Sequence, residues 1–233
     1  MTSFLRTHHL DRRRFWTGSV SASALALAGC GPDPEMQKRI AQRTAQNDAW
    51  AYYQRLYGPI PDERFPLPAV NLRQVDPRFY RREVPNETGE PAGTMVVDRR
   101  TFYLYWTQAD GTAMRYGGGL GREGFSWSGQ GLIQWKQEWP KWAPPADMIK
   151  REPELQRWSA ENGSMPPGLR NPLGARALYI FQDGKDTLFR VHGSPDAPSI
   201  GKAVSSGCVR LLNQDIIDLY SRVPTGSPIS VIG

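Results

Sequence analysis

Cys208 and His192 are the side chains in this sequence whose types and spacing best suit covalent chemistry. The histidines are His8, His9 and His192, and the cysteines are Cys30 and Cys208. His8 and His9 lie in a segment read below as an export signal, and Cys30 lies at its end. The processed chain would therefore keep one imidazole and one thiol with a function still to assign. A thiol is a weak nucleophile until it loses its proton, and an imidazole within about 2.6–3.2 Å can take that proton. Cys208 closes the run Ser205-Ser206-Gly207-Cys208. Such small residues let a backbone approach a ligand and leave amides to face a developing oxyanion, so Ser206 and Gly207 are assigned there. His192 is followed by Gly193, which lets the ring turn toward a neighbouring strand, and a backbone carbonyl such as that of Gly193 can orient the imidazole. One histidine and one cysteine are too few to hold zinc, so neither a metal nor a cofactor is expected. A lone thiol in an exported protein is itself a reason to expect use, because the envelope oxidises thiols.

The export reading comes from residues 10–30, LDRRRFWTGSVSASALALAGC. A basic start, a modestly apolar stretch and small residues before a cleavage point follow the plan of a signal peptide. Arg12, Arg13, Arg14 and Phe15 resemble a twin-arginine signal, and Leu27-Ala28-Gly29-Cys30 resembles a bacterial lipobox. Residues 1–29 are then a removed signal peptide, with Cys30 the lipidated N-terminus. The competing reading, a transmembrane anchor, fails on length, because Thr17, Gly18 and Ser19 interrupt a stretch already short of the roughly twenty apolar residues needed. The expected location is the periplasm, anchored to membrane through lipid. Gly31 after Cys30 offers no aspartate retention signal, so the outer membrane is favoured over the inner.

The net charge of +6 belongs partly to the signal. Without residues 1–29 there are 25 basic and 22 acidic residues, leaving +3 and no dense basic block. Nucleic acid is not an expected partner.

Residues 30–93 read as an N-terminal helix followed by an arm rich in proline and arginine. Glu35 to Tyr57 forms the helix and Gly58-Pro59 stops it. The rest either packs on the domain or spaces it from the membrane. Regular strands begin near Thr94. Thr94–Val97 and Thr101–Trp106 flank Asp98-Arg99-Arg100 as a hairpin, and Ala177–Phe181 and Thr187–Val191 flank a turn over Gln182–Asp186. The second strand of the latter ends at His192. Further strands fit part of Ser205–Leu211 and Pro228–Ile232. A helix follows Cys208, with Asn213 as its cap, Asp215 in its first turn, Ile216, Leu219 and Tyr220 at helical spacing, and Pro224 ending it. The fold class is mainly β: a mostly antiparallel sheet carrying one helix. Between Trp135 and Gly168 lies an irregular insertion holding Trp135, Trp139, Trp142 and Trp158, read either as core completion or as a lid over the site.

His192-Gly193-Ser194, then Ser205-Ser206-Gly207-Cys208-Val209-Arg210-Leu211, then Asn213 and Asp215, resemble the signature of the YkuD-type L,D-transpeptidases. The likeness runs from about Thr94 to Ile232 and includes Asn171-Pro172-Leu173-Gly174. It implies a mixed β-sandwich over 94–233, Cys208 as nucleophile, His192 as base and Arg210 near the site. Ser205 and Arg210 are assigned to substrate binding, Arg210 through the fork that a guanidinium offers a carboxylate; a structural ion pair is the other reading of Arg210. The implied partners are peptidoglycan stem peptides, with a stem amine, a wall-attached protein or water as acceptor. Acylation of Cys208 by carbapenems is implied too. Many members carry histidine where this chain has Ser206. That departure keeps open a reading of another class, a wall-binding lipoprotein without turnover.

Overall fold

A computed structural model describes residues 33–121, 129–205 and 207–233 of the chain. The signal segment, Cys30 and Ser206 lie outside the described residues.

The first helix, α1 (Pro34–Leu56), starts one residue before its predicted position, with Glu35 in its first turn and Arg55 in its last. The chain forms two compact units that divide within α1, residues 1–44 and 45–233. In the second unit the arm packs on the domain, one of its two expected roles. Tyr57, Leu72, Val75, Phe79 and Tyr80 are buried against Ile200 and Leu212. Asn71 and Asp76 shape the arm by accepting from the backbone N–H two residues on, at 3.2 and 3.0 Å. Gly117 and Gly201 are required where Phe79 lies, because a Cβ on either would overlap that side chain.

The strands are β1 (Arg82–Pro85), β2 (Met95–Asp98), β3 (Tyr103–Thr107), β4 (Thr112–Gly117), β5 (Leu120–Gly121), β6 (Gly129–Glu138), β7 (Arg176–Gln182), β8 (Lys185–Ser194), β9 (Ala203–Ser205), β10 (Val209–Leu212) and β11 (Ser227–Ile232). Nine of them form one mixed sheet ordered β1-β4-β3-β2-β11-β6-β7-β8-β10, while β5 and β9 pair separately and in parallel. Most ladders are antiparallel, but β8 with β10 and β2 with β11 run parallel. The sheet folds over itself: buried residues from both ends, Tyr116 on β4 and Leu211 on β10, share one core with Met95, Leu104, Ile133, Leu178, Val191 and Ile229. This is the mixed β-sandwich of the sequence reading.

The helix after the cysteine is α3 (Asn213–Arg222), and its Ile216 and Leu219 enter that core. Asn213 does not cap it. Leu212 occupies the cap position with no side-chain bond, and Asn213 Oδ1 accepts instead from Ala175 N–H at 2.9 Å. A stronger use for that amide outweighs capping: it ties the helix to the entry of β7. The β7–β8 turn is tighter than predicted. Asp183 and Gly184 have φ of 51° and 73°, the paired positive values of a two-residue hairpin turn, so both strands extend to its edge. The insertion is not structureless either. It contains a second helix, α2 (Ala146–Arg151), a 3₁₀ segment at Pro153–Trp158 and a bridge between Trp142 and Met165. The Asn171 amide holds it by donating to the carbonyls of Pro140 and Pro166, both at 3.0 Å.

Candidate active site

The site is built where β8 and β10 run side by side. Val209 pairs with Val191 and Arg210 with His192. Extending the register by one residue sets Cys208 opposite Arg190, whose backbone hydrogen-bonds the thiol. Side chains alternate between faces along a strand. Val191 and Leu211 enter the core, so Arg190, His192, Cys208 and Arg210 share the opposite face. With strands about 4.8 Å apart and about 3.3 Å per residue, the Cα atoms of His192 and Cys208 are about 8 Å apart.

His192 is buried, with 4% of its surface exposed. Its Nδ1 lies 2.6 Å from the carbonyl oxygen of Gly193. That oxygen can only accept, so Nδ1 carries the hydrogen and Nε2 of the neutral ring is left as the basic nitrogen. Burial lowers the imidazole pKa from 6.5 to about 4; the Gly193 carbonyl opposes the fall, and the Arg210 and Arg190 guanidiniums add to it. The imidazole is therefore neutral at physiological pH. Cys208 is half-buried as a residue, and enclosure of its thiol raises the pKa above its ordinary value. The Arg190 backbone and the Arg190 and Arg210 guanidiniums work against that rise. Both reactive groups thus sense the same two cations.

Gly193 presses on α3: a Cβ there would come within 2.9 Å of Ile216 Cγ2 and 3.1 Å of the Ala175 nitrogen. Gly207, buried beside the thiol, has φ of 130°, a conformation that favours glycine. Ser205 ends β9 opposite Gly121. The Arg210 backbone exchanges two 2.8 Å hydrogen bonds with Gly119, and its guanidinium lies 3.9 Å from Asp196. A pocket bounded by Val97, Leu120, Ile180, Phe189, Gly207 and Val209 opens on the other face of these strands, and Cys208 is not among its walls. Among the described residues, no three His, Cys, Asp or Glu side chains cluster to hold a metal ion.

The sequence reading missed two supports of this site. Arg190 is one: its guanidinium forks onto Asp186 at 2.6 and 2.8 Å and lies 4.3 Å from the centre of the Tyr179 ring. The signal was present as an arginine two residues before the histidine on one strand face. The other is a buried ionic cluster at the start of α3. Arg81, from the arm, approaches Asp215 at 3.7 Å and Asp218 at 3.0 Å, while the Tyr57 hydroxyl donates to Asp215 at 3.3 Å and the Tyr116 hydroxyl to Asp218 at 2.6 Å. Burial, with help from Asp218, raises the Asp215 carboxyl from 3.8 to about 7 against the pull of Arg81 and Tyr57. This cluster joins arm, β4 and helix, and so fixes the strand that carries Arg210.

Residues 92–231 match the model of the YkuD family, the L,D-transpeptidase catalytic domain, and the chain belongs to that family. It is 35% identical over 100 residues to Probable L,D-transpeptidase ErfK/SrfK of Escherichia coli strain K12, a match covering 43% of this chain and 30% of that protein. It is 32% identical over 146 residues to Probable L,D-transpeptidase YbiS of the same strain, covering 60% and 44%. A Brucella melitensis protein, described with its crystal structure as a Probable carnitine operon oxidoreductase, is 40% identical, with 67% of this chain and 96% of that one covered and a TM-score of 0.47. The matches thus span less than half the length of the two curated relatives.

Proposed function

We propose that this protein is an exported, lipid-anchored enzyme that remodels peptidoglycan by cysteine acyl transfer. The observation that carries the chemistry is the 2.6 Å contact of His192 Nδ1 with the Gly193 carbonyl, which leaves Nε2 as a base on the sheet face that bears Cys208. The thiol gives its proton to His192 as the sulfur attacks the carbonyl between the diamino acid and the terminal D-residue of a stem tetrapeptide. Amides around Gly207 and Cys208 support the oxyanion. The C–N bond then breaks, and the departing amine of D-alanine takes the proton from His192. An acceptor amine attacks the thioester, passes its proton to His192, and the C–S bond breaks to regenerate the thiol. The acceptor is the side-chain amine of another stem or of a wall-attached protein, while water in its place gives carboxypeptidase or cross-link hydrolase activity. Carbapenems acylate the same sulfur.

The test is incubation with disaccharide tetrapeptide followed by mass spectrometry. A cross-linked dimer shows transfer and a tripeptide shows hydrolysis. Neither product, together with failure of thiol probes to label Cys208, would leave a wall-binding lipoprotein as the better reading, with Ser206 as its motive. We propose the outer-membrane face of the periplasm as the location, reached by the twin-arginine route. Replacing Arg12 and Arg13 by Lys then strands precursor in the cytoplasm, and unaltered processing refutes that route.

A further inference from the structure

A row of side chains runs across the sheet to the thiol. Trp135 on β6 pairs with Tyr179 on β7, Tyr179 pairs with Arg190 on β8, and Arg190 stands opposite Cys208. The indole stacks on the phenol ring at a centroid distance of 4.4 Å and an interplanar angle of 26°. Its far side is open, with 52% of the residue exposed. That exposure is built by the backbone. Ile133 pairs with Ile180 in the core, and an irregularity between Ile133 and Trp135 inserts Gln134 as an extra residue. Unbroken alternation would point Trp135 inward; the bulge turns it to the face of His192. The bulge thus holds a large aromatic ring at the surface, in register with Cys208.

Resting on the proposed peptidoglycan chemistry, we infer that Trp135 is a specificity-determining residue that stacks on the amino sugar carrying the donor stem, so that the enzyme distinguishes glycan-linked stems from free peptide. Three strand spacings of about 4.8 Å separate Cys208 from Trp135, or about 14 Å. Three stem residues between the attacked carbonyl and the sugar span about 10–11 Å when extended, and linkage of the second through its side-chain carboxyl lengthens that reach. The thiol at the third residue therefore brings the sugar to the indole. A pyranose offers one apolar face with a polar rim, and the row matches it. The outer face of Trp135 gives the flat apolar surface; buried Tyr179 backs the indole, its ring carrying the Arg190 guanidinium at 4.3 Å and its hydroxyl donating to Gln137 at 3.1 Å. A cleft lined by Gln130, Leu132, Gln134 and Phe181 among others begins at the residue next to Trp135.

Two measurements on the full-length protein test this. D-Alanine release is followed with disaccharide tetrapeptide and with free tetrapeptide of the same sequence, for the wild type and Trp135→Ala. The expected result is a KM about tenfold lower for the glycan-linked donor in the wild type, lost in Trp135→Ala with kcat and the free-peptide KM unchanged, and partly restored in Trp135→Phe. No wild-type preference, or an equal change for both donors, overturns the inference. Calorimetric titration with peptide-free glycan strands, stripped of stems by an amidase, needs no turnover. Binding by the wild type that weakens in Trp135→Ala supports the sugar position, and absent or unchanged binding overturns it. Wild type that binds glycan but releases no D-alanine from either donor counts against the proposed acyl transfer instead.

Discussion

Alkylation of Cys208 by iodoacetamide, measured from pH 5 to pH 10 in the wild type and in His192→Gln, separates two ways in which this thiol could be activated. A standing thiolate–imidazolium pair requires the imidazole to hold a proton that the thiol has lost. Here burial lowers the imidazole pKa to about 4 and raises the thiol above its ordinary value, so both shifts oppose the ion pair. The neutral pair is the resting state. Proton transfer then accompanies attack on the substrate rather than preceding it.

The expected alkylation rate rises about tenfold per pH unit from pH 6 toward 9, without a plateau between pH 5 and 8, because the thiolate fraction alone sets it. His192→Gln leaves that profile nearly unchanged while lowering D-alanine release by about 10²–10⁴, the usual worth of a general base. The ascending limb of kcat/KM reports the histidine near pH 4 rather than 6.5. A plateau of alkylation between pH 5 and 8 that disappears in His192→Gln would show a pre-formed ion pair and refute this reasoning.

Three further outcomes follow from the packing and the charges. Between pH 4 and 6.5 the unfolded chain binds a proton on His192 that the native state excludes, so stability rises with pH; Asp215, protonated in the native state up to about 7 and in the unfolded state only to about 3.8, makes stability fall across the same window. The melting temperature of the wild type is therefore nearly flat from pH 4.5 to 6.5 and rises with pH in Asp215→Asn; a wild-type slope as steep as that of the variant removes Asp215 from the balance. Arg81→Met removes a buried donor from Asp215 while Arg222 still pairs with Asp218, and destabilises by about 1–3 kcal/mol, read as a lowered denaturant midpoint, whereas Arg78→Ala on the exposed side of the arm changes it little. Gly193→Ala forces a methyl against Ile216 and the Ala175 backbone, lowering stability by about 2 kcal/mol and the melting temperature by roughly 4–8 °C; an unchanged melting temperature shows that α3 can move away from β8.

What was legible in the sequence was what short-range patterns encode. The runs at Thr94–Val97 and Ala177–Phe181 fall almost wholly on strands and Thr101–Trp106 from Tyr103 onward, Thr101 and Phe102 belonging to the turn, and the apolar spacing of Ile216 and Leu219 falls on a helix whose buried side is as expected. His192 and Cys208 stood out in the sequence for another reason: each is nearly unique in its side-chain chemistry. Interactions over long separations were not legible. Nothing local to Asn213 shows that its amide serves Ala175, 38 positions earlier, rather than its own helix. Nothing in the proline-rich stretch shows that Arg81 meets Asp215 and Asp218, because that contact exists only once arm, sheet and helix have folded together. Nor does the proline content show that Pro77 opens a 3₁₀ turn that sets Phe79 against Gly117 and Gly201.

The orientation of Trp135 shows where reading by alternation fails and why that failure concerns function. Strand periodicity assigns each residue to a face by counting from its neighbours, and from Ile133 the count sends Trp135 into the core. The extra residue at Gln134 reverses every assignment after it, so Trp135 and Gln137 point outward while Lys136 turns inward, its Nζ donating to the Tyr220 and Val223 carbonyls at 2.7 and 2.6 Å. On the neighbouring strands a second irregularity, between Tyr179 and Phe181, leaves Leu188 75% exposed with φ of 63° and restores Arg190 to the face of His192. Two departures from regular pairing therefore hold one row in alignment from the indole to the thiol. A regular sheet would bury the same residues at little conformational expense; the exposed tryptophan and the strained leucine are what this sheet accepts in order to carry a surface beside Cys208.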